Sequence, residues 1–143
     1  MRRLIASVFG ATALALPTVN AWAAPAVAAK TRVVTATKSF SGATASVDRW
    51  GEMQVTVVVK KTTTTNLTTK KKTVKRKIVS VKVPVYPNHT DRSVFINQQA
   101  LPILIQETTQ AQSASINMVS GATDTSYGFA QSLQSALLKA KAW

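Results

Sequence analysis

The sequence contains no cysteine. That excludes disulfides, thiolate metal ligands, iron–sulfur ligation and a thiol nucleophile. It does not argue against an oxidising compartment. The single histidine, His89, rules out a multi-histidine metal site and leaves no spare for a histidine-dependent triad. Acidic side chains number five, Asp48, Glu52, Asp91, Glu107 and Asp124, and they are scattered. No general acid, general base and nucleophile set can be assembled from them. Aromatic residues make up 6%, too few for a run of base-stacking platforms.

The chain does have basic residues. Lysine and arginine total 18 in 143 residues, for a formal net charge of +13. The length suits one domain and hardly two. A charge of this size points to an acidic partner, or simply to solubility. The start of the chain decides between partners. Met1-Arg2-Arg3 precedes a mostly apolar run from Leu4 to Leu16, Pro17 ends it, and Ala21-Trp22-Ala23 offers a small-x-small cleavage site before Ala24. This is the pattern of a secretory signal peptide over residues 1–23. The run falls short of the roughly 20 residues of a comfortable membrane span. Removing Arg2 and Arg3 takes the net charge from +13 to +11. The expected location is extracytoplasmic: secreted or associated with the cell envelope. Nucleic acid is not the expected partner there; contact with an anionic cell surface is.

Residues 24–38 read as a flexible leader and 39–143 as the folded domain. Alternation of Ala43, Ala45 and Val47 with polar neighbours predicts a half-buried strand. Arg49 to Glu52 forms a turn, and Met53, Val55, Val57 and Val59 alternate again, giving an antiparallel hairpin. Lys60 to Lys77 is a Thr/Lys tract with Asn66 near its middle. It reads as a long two-stranded ribbon or as a loop, either a contact for an anionic surface or a solvated extension that protects an edge. A third strand spans about Ile78 to Val85, with Val79, Val81, Val83 and Val85 on one face and Pro84 marking an edge. His89 falls in an exposed turn. Asp91 or Ser93 caps a helix that includes Val94, Ile96, Ala100, Leu101, Leu104 and Ile105, with Pro102 inside it. A polar stretch from Gln106 to Asn117 leads to a loop, and the last helix starts at Ser126. Its stripe is Phe129, Leu133, Ala136, Leu137 and Ala140. Strands followed by helices predict an α+β domain: a small antiparallel sheet with helices packed on one face.

The loop before that helix, Ser120-Gly121-Ala122-Thr123-Asp124-Thr125-Ser126, is where chemistry is expected. Gly121 and Ala122 allow close approach to the backbone. Thr125 or Ser126 caps the helix, whose unpaired N–H groups attract an anion. Thr123 places a hydroxyl at the mouth of that site. On these grounds alone the stretch is an anion site or a capped helix after a small-residue turn.

Ser120-Gly121-Ala122-Thr123 followed by Thr125-Ser126 resembles the flavinylation motif of the FMN-binding domain family. That family includes the flavin-carrying subunits of sodium-pumping NADH:quinone oxidoreductase and of Rnf complexes. Gly51 to Val59 is similar to the family's glycine-then-valine strand. Arg92-Ser93 to Leu104 is similar to its helix before the motif, and Ser132 to Leu137 to its final helix. The resemblance implies that an extracytoplasmic flavin transferase, working with magnesium, moves FMN from FAD onto Thr123 as a phosphoester. Ser120, Gly121, Ala122, Thr125 and Ser126 would complete the cofactor site. The family's aspartate three residues before the motif serine is Asn117 here. Ser41-Gly42-Ala43-Thr44 spells the same four letters, but within a strand-like alternation and with no helix start behind it.

The leading expectation is an electron-carrying flavoprotein with covalent FMN and a redox partner protein or membrane electron-transfer complex. It would be a carrier rather than a self-sufficient enzyme. The alternative is a basic secreted module that uses the Lys/Thr tract on anionic cell-surface polymers, without flavin. A third reading is direct reduction of a substrate, with Trp50, Met118 and Tyr127 as neighbours of the ring.

Overall fold

The computed structural model describes residues 30–143. The signal peptide expected over residues 1–23 lies outside them. The fold is α+β: a four-stranded antiparallel sheet with two helices packed against it, the second at the end of the chain. Strand β1 (Thr31–Ser41) is followed by the two-residue β2 (Ala45–Ser46), a 3-10 turn (Asp48–Trp50), β3 (Glu52–Asn66) and β4 (Lys72–Val85). Helices α1 (Asp91–Ala111) and α2 (Thr123–Ala142) complete it. Among the described residues no helix is long and apolar enough to cross a membrane.

Strand β3 is central, paired on one side with β1 over Thr56–Asn66 and on the other with β4 over Gln54–Thr65. Its alternation is realised as read: Met53, Val55, Val57 and Val59 are buried, and the residues between them are only half-buried. Phe129, Leu133, Ala136 and Ala140 of α2 pack against this face, and Leu101 and Leu104 of α1, which lies over β4, complete the same core. Burying such side chains supplies about 1.5–3 kcal/mol each, the largest favourable term in the fold.

Several expectations are corrected. Residues 31–38, read as leader, form most of β1 and pair with β3 from Lys38↔Val59 to Thr31↔Asn66. Val33, Val34 and the threonines here are β-formers. They bury almost nothing, so no half-buried alternation announces the strand. The Thr/Lys tract is therefore the middle and one side of a three-stranded ribbon, with its turn at Leu67–Thr69. Asn66 sets that turn by accepting the Thr68 and Thr69 N–H groups at 2.9 and 3.0 Å.

Strand β4 does not bury Val79, Val81, Val83 and Val85 together. Val59 pairs with Ile78 while Val58 pairs with Ser80, so Val79 is an extra residue, a β-bulge. Ile78 and Val81 face the core, and Val79 and Val85 are exposed. A second irregularity lies between Lys82 and Val85, where Pro84 cannot donate to a ladder.

Both helices differ at their starts. The cap of α1 is Thr90, whose hydroxyl accepts the Ser93 N–H at 3.1 Å. Pro102 sits inside this one continuous helix. Helix α2 begins at Thr123, three residues before the expected start, and its N-cap Ala122 makes no side-chain capping bond. Thr125 and Ser126 are consequently in its first turn, and neither is its cap.

The letters Ser41 to Thr44 have a structural reason. Strand β1 breaks here, and the break opposes Val55 of β3. The Gly42 N–H donates to the Val55 carbonyl at 2.8 Å. The Val55 N–H finds no strand partner and instead donates to Ser132 Oγ of α2 at 2.8 Å; that hydroxyl donates to the Ala43 carbonyl at 2.7 Å. The Ala43 N–H donates to Ser135 Oγ at 3.0 Å, and Lys139 Nζ donates to the Ser41 carbonyl at 2.7 Å. Gly42 is glycine because any Cβ would collide with the Ser132 carbonyl oxygen.

Two substitutions test this seam. Gly42→Ala must push α2 off the sheet and is expected to cost more than about 4 kcal/mol. Ser132→Ala strands a buried Val55 N–H and is expected to cost about 1–3 kcal/mol. Urea denaturation midpoints read both; an unchanged midpoint for Gly42→Ala would contradict the close approach of helix and strand.

Candidate functional site

The loop before α2 is a tight turn. The Ala122 N–H donates to the Val119 carbonyl at 3.0 Å. Gly121, third of the four turn residues, has φ +79°, the value a type II turn requires there and one that side chains disfavour. A Cβ added at Gly121 would meet nothing within 4 Å, so conformation selects this glycine rather than space. Ser126 fastens the turn to the helix. Its Oγ accepts the Val119 N–H at 3.0 Å and donates to the Ala122 carbonyl at 2.8 Å.

The first intrahelical bond of α2 runs from the Ser126 N–H to the Ala122 carbonyl at 2.9 Å. The N–H groups of Thr123, Asp124 and Thr125 therefore have no acceptor within the helix. Thr123 is the first helical residue and is exposed. Asp124 beside it suits the positive pole of the helix.

These residues form one wall of a small cleft that opens to solvent. The space within it that a water-sized sphere can occupy is about 60 Å³, well below the few hundred Å³ that enclose a whole small molecule. Gly121, Ala122, Thr123, Asp124 and Thr125 line it from α2 and its turn. Arg92, Ser93, Ile96 and Asn97 line it from α1, and Trp50 and Pro87 from the loops beside the sheet. Trp50 is half-buried, with the Arg49 guanidinium 5.1 Å from its ring centre. Gly51 makes that placement possible, since its φ of +124° is open only to glycine.

The walls are held together at the bottom. Asn97 is buried, donating from Nδ2 to the Pro87 carbonyl at 2.7 Å and accepting from Thr125 Oγ1 at 3.1 Å. One amide thus joins α1, α2 and the loop after β4. No buried side-chain polar atom lacks a partner among the described residues.

Of the six residues expected to form the site, Gly121, Ala122, Thr123 and Thr125 line the cleft; Ser120 and Ser126 do not. Ala122 is buried, so the approach to the backbone that small residues were expected to allow exists at Gly121 alone. Trp50 lines the cleft, whereas Met118 and Tyr127 are exposed outside its lining. Asn117 Nδ2 donates to Glu107 Oε2 at 3.1 Å, so an aspartate at 117 would set two carboxylates against each other. Arg92 and Asn97 join the cleft without having been among the residues expected there. The signal was available only for Arg92, a cation in the first turn of a predicted helix. Asn97 looked like one polar residue among several on that helix.

The cleft is lined by a hydroxyl at Thr123, the helix start with its three free backbone N–H groups, the Arg92 side chain and the Trp50 indole. It suits a phosphate attached to a planar aromatic group. Among the described residues no group of three or more His, Asp or Glu side chains could hold a metal ion. Comparison with protein-family models and with curated proteins finds no match for the chain.

Thr125→Val keeps the shape of the side chain but removes the donor to Asn97 Oδ1, leaving a buried acceptor unmet. Thermal melting is expected to show a loss of about 1–3 kcal/mol. Thr123→Ala, at an exposed position, is expected to stay within about 0.5 kcal/mol of the parent.

Proposed function

We propose that this chain is an exported flavoprotein that carries FMN through a phosphoester on Thr123 and passes electrons to a partner protein or a membrane electron-transfer complex. The observation that carries the reading is the position of Thr123. Its hydroxyl is exposed in a cleft at three unpaired helix N–H groups, with Arg92 and Trp50 on the opposite walls. The likeness of Ser120 to Ser126 to the flavinylation motif names the phosphate this donor set suits.

Thr123 Oγ would form its bond to phosphorus as the FMN–AMP linkage of FAD breaks, AMP leaving and the hydroxyl proton going to solvent. An extracytoplasmic flavin transferase with magnesium would provide the catalysis. After attachment, the N–H groups of Thr123, Asp124 and Thr125 would hold the phosphate oxygens, and the Arg92 guanidinium would balance their charge. Trp50, fixed by Arg49, would offer a flat apolar face to the ring. The flavin itself supplies the electron chemistry; the protein supplies position and electrostatics. A covalent bond suits an exported carrier, because a dissociated cofactor would be diluted into the medium.

Co-expression with an exported flavin transferase tests the reading on a denaturing gel. The wild-type band is expected to fluoresce as flavin, and Thr123→Ala to be dark while melting like the parent. A dark wild-type band would sink covalent attachment. Fluorescence lost only in Thr44→Ala would move the site to the other Ser-Gly-Ala-Thr.

A further inference from the structure

The outward face of the sheet, opposite the helices, presents lysines and hydroxyls with no counter-ion. The register decides which side chains share it. Val59 and Ile78 are partners and both are buried. The next pair, Lys60↔Lys77, therefore faces outward, and so does Thr62↔Lys75 two residues on. Beyond the Val79 bulge, Val57↔Val81 is inward and Thr56↔Lys82 outward. All four lysines are exposed. The same face carries Thr35, Thr37, Ser39 and Ser41 of β1 on the far side of β3, the pair Thr64↔Thr73 beyond Lys75, and the apolar Val33 and Val58.

Lys60 stands directly opposite Lys77, a like-charge pair that weakens the ladder. Edge protection explains lysines on β4. It does not explain Lys60, which lies on the central strand with a neighbour on each side. No acid occurs in β1 or β4, and the one on β3, Glu52, sits at its first residue, about 27 Å along the strand from Lys60. On the inward face three cations are engaged: Lys61 and Arg76 donate to the Trp143 carbonyl at 2.7 and 3.0 Å, and Lys38 lies 5.5 Å from the centre of the Phe40 ring. Arg32 and Lys72, both opposite Thr65 near the ribbon's tip, share that face.

We infer that the outward face of β1, β3 and β4 binds a linear phosphate-bearing polyanion. Lysine meets phosphate as a point charge, and serine and threonine hydroxyls donate to its oxygens. The face has no arginine fork for carboxylates. It also has no aromatic ring to stack on sugars or bases; Phe40 pairs with buried Val57 and faces inward. Four contacts predict a salt slope near −3 in log K against log salt, or roughly 60-fold weaker binding between 50 and 200 mM. This proposal does not depend on the flavin reading.

The probe is long-chain inorganic polyphosphate, titrated into the full chain and into its Thr123→Ala variant, which is expected to bind equally. The variant K60Q/K75Q/K77Q/K82Q is expected to bind at least 30-fold more weakly at low salt. A control with the same charge loss, K30Q/K70Q/K71Q/K141Q, is expected to lose less than fivefold. Removing the Lys60–Lys77 repulsion should leave the first variant melting no lower than the parent, so a lost fold would not explain its loss of binding. Equal weakening in both sets would overturn the proposal in favour of diffuse charge. So would binding to vesicles containing anionic lipid in the absence of any binding to polyphosphate.

Discussion

One hydroxyl closes the sheet. Where β1 breaks at Gly42 to Thr44, the central strand would be left with a buried N–H at Val55, and Ser132 of α2 answers it while donating back to Ala43. A break in a ladder is tolerated only when the freed backbone groups find other partners. Here the partner comes from a helix, which must then lie against the backbone itself. Gly42 and, a helical turn earlier, Gly128 are the two places where a side chain would prevent it; a Cβ at Gly128 would come within 2.7 Å of Val47 Cγ2. The seam fixes both the translation and the rotation of α2. Its apolar stripe then meets β3, and its first turn arrives beside α1 and Trp50. The cleft is in this sense a consequence of packing ten residues away.

The fold was legible where hydrophobic period and burial coincide. The alternation of β3 and the stripe of α2 are strong signals, because each residue contributes apolar area on one face. β1 was not legible, since a strand with both faces in solvent has no period to show; its pairing with β3 holds it. The face of β4 was misread because a bulge is invisible to a count of two. Helix α2 began earlier than read because Thr125 and Ser126, good capping types, are spent on Asn97 and on the turn. The site was legible on the strand of chain that carries it, from Gly121 to Thr125. Its other wall, Arg92 and Asn97, comes from a segment some 30 residues away, Asn97 bonding Thr125 across 28 positions, and only the packing of α1 on α2 brings it there.

The two surfaces of functional interest lie apart. The cleft sits at the start of α2, flanked by α1. The lysine face belongs to the side of the sheet the helices leave open, and to the ribbon that runs past them. The two are linked through α2, which packs on β3 along its length and at whose end the Trp143 ring packs on Phe40 at 5.5 Å and its carbonyl receives Lys61 and Arg76. A cofactor site and a polymer contact could thus coexist without competing for residues.

The bulge at Val79 has an effect larger than its size. A strand has a phase with only two values, and every inserted residue reverses it. Lys75 and Lys77 carry odd numbers and Lys82 an even one, yet the register puts all three on one face. Val81 and Ile78, of opposite parity, share the other. Without that single extra residue the second half of β4 would present its valine to water and its lysine to the core. The segregation of charge from apolar area along this edge thus rests on one residue that pairs with nothing.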